Sequence, residues 1–197
     1  MPVEVRVNRK EVRIFDTDEH IRDGSTVENL AKLKPAFVHD GTGTVTAGNA
    51  SGINDAGAAV ILMRESEARR RGLAPIVGVA GAAVAGVEPA LMGLGPIPAV
   101  RKLLDRTGLS LKDIGLIELN EAFASQALAC IRELGLDLER TNVNGSGISM
   151  GHPIGATGAI IAIKLMNEMT RRRVRYGIAA LCIGGGQGLA VLFELCR

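Results

Sequence analysis

Residues 176–195, YGIAALCIGGGQGLAVLFEL, consist of two apolar runs separated by a glycine-rich turn. This pattern is typical of two adjacent antiparallel strands. Upstream of them, apolar strand-like and amphipathic helix-like segments alternate in the order strand 75–87, helix 96–107, strand 114–119, helix 121–134 and helix 155–173. The order predicts an α/β fold in layers, with a mixed sheet and helices packed on its faces.

The predicted helices each carry an apolar stripe that faces a sheet. In helix 121–134 the stripe is Phe123, Ala127, Cys130, Ile131 and Leu134, and in helix 155–173 it is Ala159, Ile163, Met166 and Met169. The first part of the chain is less regular. A short hairpin is predicted over 3–15, a ligand-facing loop over 24–50, a buried strand over Ala56 to Met63 and a helix over 65–71.

The composition is that of a compact, cytoplasmic protein, with 197 residues, 47% of them hydrophobic, and a net charge of +2. This balanced charge does not favour a nucleic-acid partner, and no apolar run is long enough for a membrane helix. Three cysteines without a CxxC pair predict neither a disulfide framework nor a zinc site. We therefore expect no metal, no nucleic acid and no membrane among the partners.

Four blocks in this chain carry chemically useful side chains. They are TAGNASGIND at 46–55, NEAFA at 120–124, NGSGISMGHPIGATG at 144–158 and CIGGGQG at 182–188. Glycines after Cys182 let a substrate approach the backbone and leave N–H groups free to donate. His152 lies in a glycine-rich loop before a helix, where an imidazole can exchange a proton. The alternatives are a buried structural Cys182, a backbone-bonded His152 and a helix-capping Asn120.

Together the four blocks resemble the thiolase family, the acetyl-CoA C-acetyltransferases. The resemblance implies a thiolase-like layered fold with a mixed five-stranded sheet, built from one βαβαβαββ half and parts of two other segments. Residues 1–52 then correspond to part of the loop domain that binds coenzyme A. Residues 53–74 correspond to the closing strand and helix of the N-terminal half, and residues 75–197 to the C-terminal domain.

The family's catalytic residues map onto the motifs of this chain. The resemblance implies that Cys182 is the acid/base cysteine and that the amide of Gly184 belongs to an oxyanion hole. It also implies that His152 and Asn120 stabilise the enolate, Asn120 through a bound water. A thiolase also needs a second cysteine as acyl carrier, which family members carry upstream of these motifs.

The resemblance also predicts the substrates and partners. Acyl-CoA and CoA are substrates, and no further cofactor is expected. Contacts to CoA are expected from Ser51, Met92, Ala122, Phe123 and Arg22. Because Cys182 cannot serve both as acyl carrier and as proton acceptor, we expect an N-terminal thiolase half from a companion chain or a precursor, in a homo- or hetero-oligomer. The alternative is a truncated, non-catalytic module that binds acyl-CoA or supports assembly. A decarboxylating ketoacyl synthase relative is disfavoured.

Overall fold

The computed structural model describes residues 2–196, and the chain divides into two units, the first ending at Leu33 and the second beginning at Lys34. The first unit holds strands β1 (Val3–Arg6) and β2 (Val12–Phe15) and the one-turn helix α1 (Val27–Leu30). The two strands pair antiparallel, so the predicted hairpin is confirmed. Residues 1 and 197, which bound the first and last predicted segments, lie outside the described residues.

The second unit is a sheet with helices on both faces. Its elements are α2 (Glu65–Arg70), β3 (Val77–Gly86), α3 (Pro96–Thr107), β4 (Leu116–Leu119), α4 (Ala124–Leu134), α5 (Gly147–Met150), α6 (Thr157–Arg172), β5 (Tyr176–Ile183) and β6 (Gln187–Leu195). The sheet order is β3-β6-β5-β4, with β4 and β5 parallel and the other pairs antiparallel. The predicted α/β fold and mixed sheet are confirmed.

Two apolar cores lie on opposite faces of this sheet. On one face, Val100 and Leu103 of α3 and Cys130 of α4 pack with sheet residues such as Ile178. On the other face, α6 contributes its buried residues to a second core, namely Ile161, Leu165 and Met169. The predicted stripe of α6 is therefore wrong except at Met169. The sheet is sandwiched between α3 and α4 on one side and α6 on the other.

The resemblance implies a five-stranded sheet, but the described residues form a sheet of four strands. Only one bridge, between Ile117 and Thr141, occupies the position beside β4. Immediately after it, Asn142 has φ 52 and Gly145 has φ 76. These left-handed conformations turn the backbone away from the extended path that a strand needs. The segment 141–146 becomes a loop along the edge of β4, and the sheet has four strands in place of five.

The predicted buried strand from Ala56 to Met63 is also wrong. The segment is irregular, and Ile61 and Leu62 are 89% and 77% exposed. A strand is stable only when a neighbour satisfies its backbone groups, and none of the strands described in residues 34–196 pairs with this segment. An open groove of about 1060 Å³ is lined by Ile61, Leu62 and Met63, by residues of α2, by residues of the 73–79 segment and by the end of β6.

The outer edge of β3 is covered by cations from the neighbouring helix. Lys102 Nζ of α3 donates to the Val84 carbonyl at 3.0 Å, and Arg106 donates to the Ala82 carbonyl at 3.4 Å. β3 contains no charged residue of its own. Because charged side chains at a sheet edge oppose pairing with another strand, α3 supplies the protection that the β3 sequence lacks.

The central core predicts a large difference between two leucine substitutions. Leu103 is 0% exposed between α3 and the sheet, whereas Leu138 is 64% exposed. Leu103→Ala leaves a cavity and should lower the free energy of unfolding by about 2–5 kcal/mol. Leu138→Ala should change it by less than about 0.5 kcal/mol. Urea unfolding followed by circular dichroism measures both, and equal losses would contradict this arrangement of the core.

Candidate active site

The parallel pairing of β4 and β5 brings two predicted site residues to one edge of the sheet. Leu119, the last residue of β4, pairs with Ala180 of β5, and the Asn120 amide donates to the Ala180 carbonyl at 2.9 Å. Cys182 follows Ala180 by two residues and is buried near the end of β5. Ligands of open α/β sheets bind outside the carboxyl ends of the strands, which is where Asn120 and Cys182 lie.

His152 reaches the same edge from the loop between α5 and α6. Its backbone N–H bonds to the Gly52 carbonyl at 3.1 Å and contacts Asn54 Oδ1 at 3.3 Å. Its ring is held on two sides, with Nε2 lying 3.4 Å from Asn120 Nδ2 and Nδ1 lying 2.7 Å from Thr157 Oγ1. The structure therefore places the imidazole directly against Asn120. Thr157 was not identified from the sequence.

Asn120 does not cap a helix, so that alternative is wrong. Helix α4 begins at Ala124, with Phe123 in the capping position and without a side-chain cap. The Asn120 side chain is 1% exposed, and its Oδ1 has no hydrogen-bond partner in the described part of the chain. The large majority of buried polar side-chain atoms are hydrogen-bonded, so this oxygen marks a place for a donor such as a water. This buried amide oxygen is the most unusual atom of the site.

The loop that carries His152 is fastened to the end of β4 by side chains. Asn142 Oδ1 accepts from the Leu119 amide and Asn142 Nδ2 donates to the Leu119 carbonyl, both at 2.8 Å. Asn142 Nδ2 also donates to Glu121 Oε1 at 3.0 Å, and the Ile148 amide contacts Glu121 Oε2 at 3.4 Å. Ser146 Oγ adds a bond to the Leu119 carbonyl at 3.0 Å. Glu121, known from the sequence only as part of NEAFA, thus anchors the loop.

An ion pair between β4 and α6 holds the same loop through the Gly145 carbonyl. Glu118 of β4 is 2% exposed, and its Oε2 lies 2.8 Å from Lys164 Nζ of α6. Lys164 also donates to the Gly145 carbonyl. Burial raises the pKa of Glu118, and the Lys164 ammonium opposes this shift. Removing either partner would leave a buried charge uncompensated, so this pair constrains where α6 sits relative to β4.

Another carboxylate, that of Glu168 on α6, holds the start of the loop. Glu168 accepts from Asn144 Nδ2 at 3.2 Å and also pairs with Arg171 and Arg172. The hydrogen bonds from Arg171 are the main cause that lowers the pKa of Glu168 to about 2. The carboxylate is ionised throughout the neutral range, so this anchor does not change with pH there.

Burial sets the protonation of the two titratable site residues. It lowers the pKa of His152, which favours a neutral imidazole at neutral pH. It also raises the pKa of the Cys182 thiol, which favours the protonated form. A thiol with a raised pKa gives a strongly basic thiolate once the proton leaves. At neutral pH the folded chain therefore favours a neutral imidazole at His152 and a protonated thiol at Cys182, and their role in proton transfer stays a prediction.

The structure brings together three of the five predicted CoA contacts. The Ser51 amide bonds to the Ala122 carbonyl at 3.0 Å, and the Ala124 amide bonds to the Asn49 carbonyl at 2.8 Å. Phe123 meets Phe37 edge to face, with ring centroids 5.9 Å apart. The loop at 49–54 thus lies against the start of α4 and against His152, although both partners are far away in sequence.

The remaining predicted residues lie in different settings. Met92 is partly exposed in the 3-10 turn Pro89–Leu94, and Gly184 is exposed in the turn between β5 and β6. Arg22 is exposed in the first unit, and its contact to a nucleotide stays a prediction. Within residues 2–196, no three His, Cys, Asp or Glu side chains are grouped to bind a metal, and no helix is long and apolar enough to span a membrane.

The fold and the cluster at the carboxyl ends of β4 and β5 define an α/β protein with a histidine, an asparagine and a cysteine at its ligand edge. Comparison with known proteins is consistent with this class. The chain matches the model of the thiolase C-terminal domain over residues 73–195 and that of the thiolase N-terminal domain over residues 1–66. The chain belongs to the thiolase family, and the resemblance deduced from its motifs is confirmed.

Individual relatives agree with this assignment. A beta-ketothiolase from Cupriavidus necator is 53% identical over 190 residues, covering 96% of this chain and 48% of the relative. An acetyl-CoA acetyltransferase from Escherichia coli is 53% identical over 194 residues, covering 98% of this chain and 48% of the relative. The chain spans about half the length of the curated relatives it matches.

Solved structures confirm the thiolase-like fold. A Bacillus anthracis acetyl-CoA acetyltransferase superposes with a TM-score of 0.88 at 51% identity, covering all of this chain and 49% of that one. A human mitochondrial 3-ketoacyl-CoA thiolase in complex with CoA gives a TM-score of 0.83 at 43% identity, covering 94% and 46%.

The raised pKa of Cys182 predicts how its alkylation depends on pH. Iodoacetamide reacts with the thiolate, so the pH midpoint of labelling should be higher in the folded chain than in the urea-unfolded chain, where about 8.5 is expected. Because the unfolded thiol ionises first, this group also makes the folded state less stable as the pH rises above that value. Peptide mass spectrometry of Cys182 measures both midpoints, and equal midpoints would refute the shift.

Proposed function

We propose that this chain supplies half of a thiolase active site. The reaction is the Claisen condensation of acetyl-CoA to acetoacetyl-CoA, or the reverse thiolysis of a 3-ketoacyl-CoA. The observation that carries the proposal is the contact of His152 Nε2 with Asn120 Nδ2 at the end of β4, beside the strand that carries Cys182. A structural histidine bonded to backbone alone would not require this contact.

In the proposed mechanism, Cys182 moves the proton of the carbon–carbon bond-forming step. Its thiolate removes a proton from the methyl carbon of acetyl-CoA, and the resulting enolate carbon attacks an acyl thioester on a second cysteine. The new C–C bond forms as that thioester breaks and releases its thiolate. The raised pKa of Cys182 makes its thiolate a strong base for a weakly acidic C–H bond.

The enolate oxygen needs donors that are fixed before the reaction. We assign this role to His152 and to Asn120 acting through a bound water, and we assign the amide of Gly184 to an oxyanion hole. The fixed geometry of His152, between Asn120 and Thr157, supports the assignment, because the ring does not need to reorient. Ser51, Ala122 and Phe123 flank this site and are proposed contacts of CoA, together with Met92 and Arg22.

The acyl carrier must come from polypeptide beyond the residues of this chain. Cys130 is buried in the core on α4, Cys196 follows β6, and Cys182 is committed to proton transfer. The proposed source is a thiolase N-terminal half, from a companion chain or from a longer precursor. The exposed apolar segment from Ala56 to Met63 and the groove beside it support this proposal, since such surfaces favour association.

A second candidate function is a non-catalytic module that binds acyl-CoA or supports assembly. The same exposed apolar segment favours it, because association does not require the acyl carrier. The two candidates differ in one respect that can be measured. Only the split enzyme gains activity when an N-terminal half with its cysteine is added.

An acetoacetyl-CoA thiolysis assay tests the proposal. The chain alone should be inactive, and mixing it with a separately expressed thiolase N-terminal half should give activity. Cys182→Ala or His152→Ala should lower that activity by about 10²–10⁴-fold, the usual contribution of a positioned acid or base. Leu138→Ala, on the exposed surface, is the matched control and should leave the activity unchanged.

Two results would contradict the split-enzyme proposal. The first is activity of the purified chain alone that is lost with Cys182→Ala, which would place the acyl carrier within this chain. The second is a folded mixture that forms a complex without thiolysis, which would favour the non-catalytic module. Size-exclusion chromatography of the mixture distinguishes failed assembly from failed chemistry.

A further inference from the structure

We infer that Thr157 is a positioning residue that fixes which nitrogen of the His152 ring carries the proton. Thr157 is the first residue of α6, five residues after His152, and it is 3% exposed. Its Oγ1 lies 2.7 Å from His152 Nδ1. This is a short contact. Both the Thr157 hydroxyl and His152 Nδ1 can act as hydrogen-bond donor or acceptor, so the distance alone does not give the direction of the bond.

A second hydrogen bond decides the direction of this contact. Thr157 Oγ1 also donates to the Pro153 carbonyl at 2.9 Å. A hydroxyl has one proton, and a carbonyl can only accept, so the Thr157 proton is used in that bond. The contact with His152 must then be donated by the ring. The neutral imidazole therefore carries its proton on Nδ1.

The opposite side of the ring is compatible with this tautomer. His152 Nε2 faces the side-chain nitrogen of Asn120 at 3.4 Å, and an amide nitrogen can only donate, so Nε2 then holds the lone pair. Rotating the Asn120 amide by 180° would present Oδ1 to the ring instead, so this contact follows the tautomer set on the Thr157 side and does not decide it alone.

This tautomer determines where a proton can be exchanged. With Nδ1–H committed to Thr157, a proton can be gained or lost only at Nε2, the nitrogen beside Asn120. The functional consequence rests on the proposed thiolase activity. A thiol next to the ring would pass its proton to Nε2, giving a thiolate and an imidazolium, and the imidazolium would then donate from Nε2 to the enolate oxygen.

The test compares Thr157→Val with Thr157→Ser in the ¹⁵N-histidine-labelled chain. Valine keeps the shape of threonine without the hydroxyl, and serine keeps the hydroxyl. Two-bond ¹H–¹⁵N NMR spectra, recorded at a pH where His152 is neutral, report which nitrogen is protonated. His152→Gln identifies its signals among those of the three histidines. We expect Nδ1–H in the parent chain and in Thr157→Ser, and a shift toward Nε2–H in Thr157→Val.

Two outcomes would overturn the inference, namely Nε2–H as the main tautomer of the parent chain, or an unchanged Nδ1–H tautomer in Thr157→Val. The parent spectrum needs no variant, so the inference stays falsifiable if Thr157→Val fails to fold. In that event Thr157→Ala gives the same comparison. These spectra do not require turnover, so absence of thiolysis in the complementation assay would reject the proposed function and leave the tautomer assignment to be judged separately.

Discussion

The side-chain amide of Asn142 stands where the backbone of another strand would be. It bonds to both the N–H and the C=O of Leu119, at the last position of β4. Each such bond contributes about 0.5–1.5 kcal/mol, and leaving the Leu119 N–H unpaired would cost about 1–3 kcal/mol, whereas the Leu119 carbonyl would keep its bond from Ser146 Oγ. This amide therefore ties the start of the His152 loop to the end of β4, one residue before Asn120, and Ser146 and Glu121 reinforce the link. The left-handed conformation of Asn142 prevents the strand from continuing and at the same time directs its side chain back to β4.

The charged groups on α6 and β4 make this arrangement rigid in a different way. Glu118 is buried and its partner Lys164 is half-buried, so separating the two charges would leave the Glu118 carboxylate with a desolvation penalty. Because Lys164 also holds the Gly145 carbonyl, a shift of α6 would move the loop that precedes His152. Helix α6, which begins at Thr157, is thus linked to β4. The His152 ring contacts Thr157 of α6 on one side and Asn120 after β4 on the other. The geometry of the site follows from the packing of the core beneath it.

Local pattern predicted most of the fold. Helix 96–107 and strand 176–183 have the predicted bounds, since apolar periodicity and flanking turn residues are local properties. The strand from Ala56 to Met63 was wrong because a strand also needs a neighbour, which an apolar run does not specify. The resemblance to thiolases implied that Asn120, His152 and Cys182 serve one site, and the structure places His152 against Asn120 and Cys182 near the end of the neighbouring strand. Thr157 was missed because its bond to His152 depends on the ring orientation in a folded loop, although the five-residue spacing was visible.

The buried Oδ1 of Asn120 has a thermodynamic consequence. A buried amide oxygen needs a donor, and leaving such a group unsatisfied costs about 1–3 kcal/mol. The water proposed to bind Asn120 supplies that donor, so hydration of the site and stability of the fold are coupled at this residue. An apolar residue of similar size in place of Asn120 removes the need for this water, so it can stabilise the fold while it weakens the donor set for the enolate oxygen.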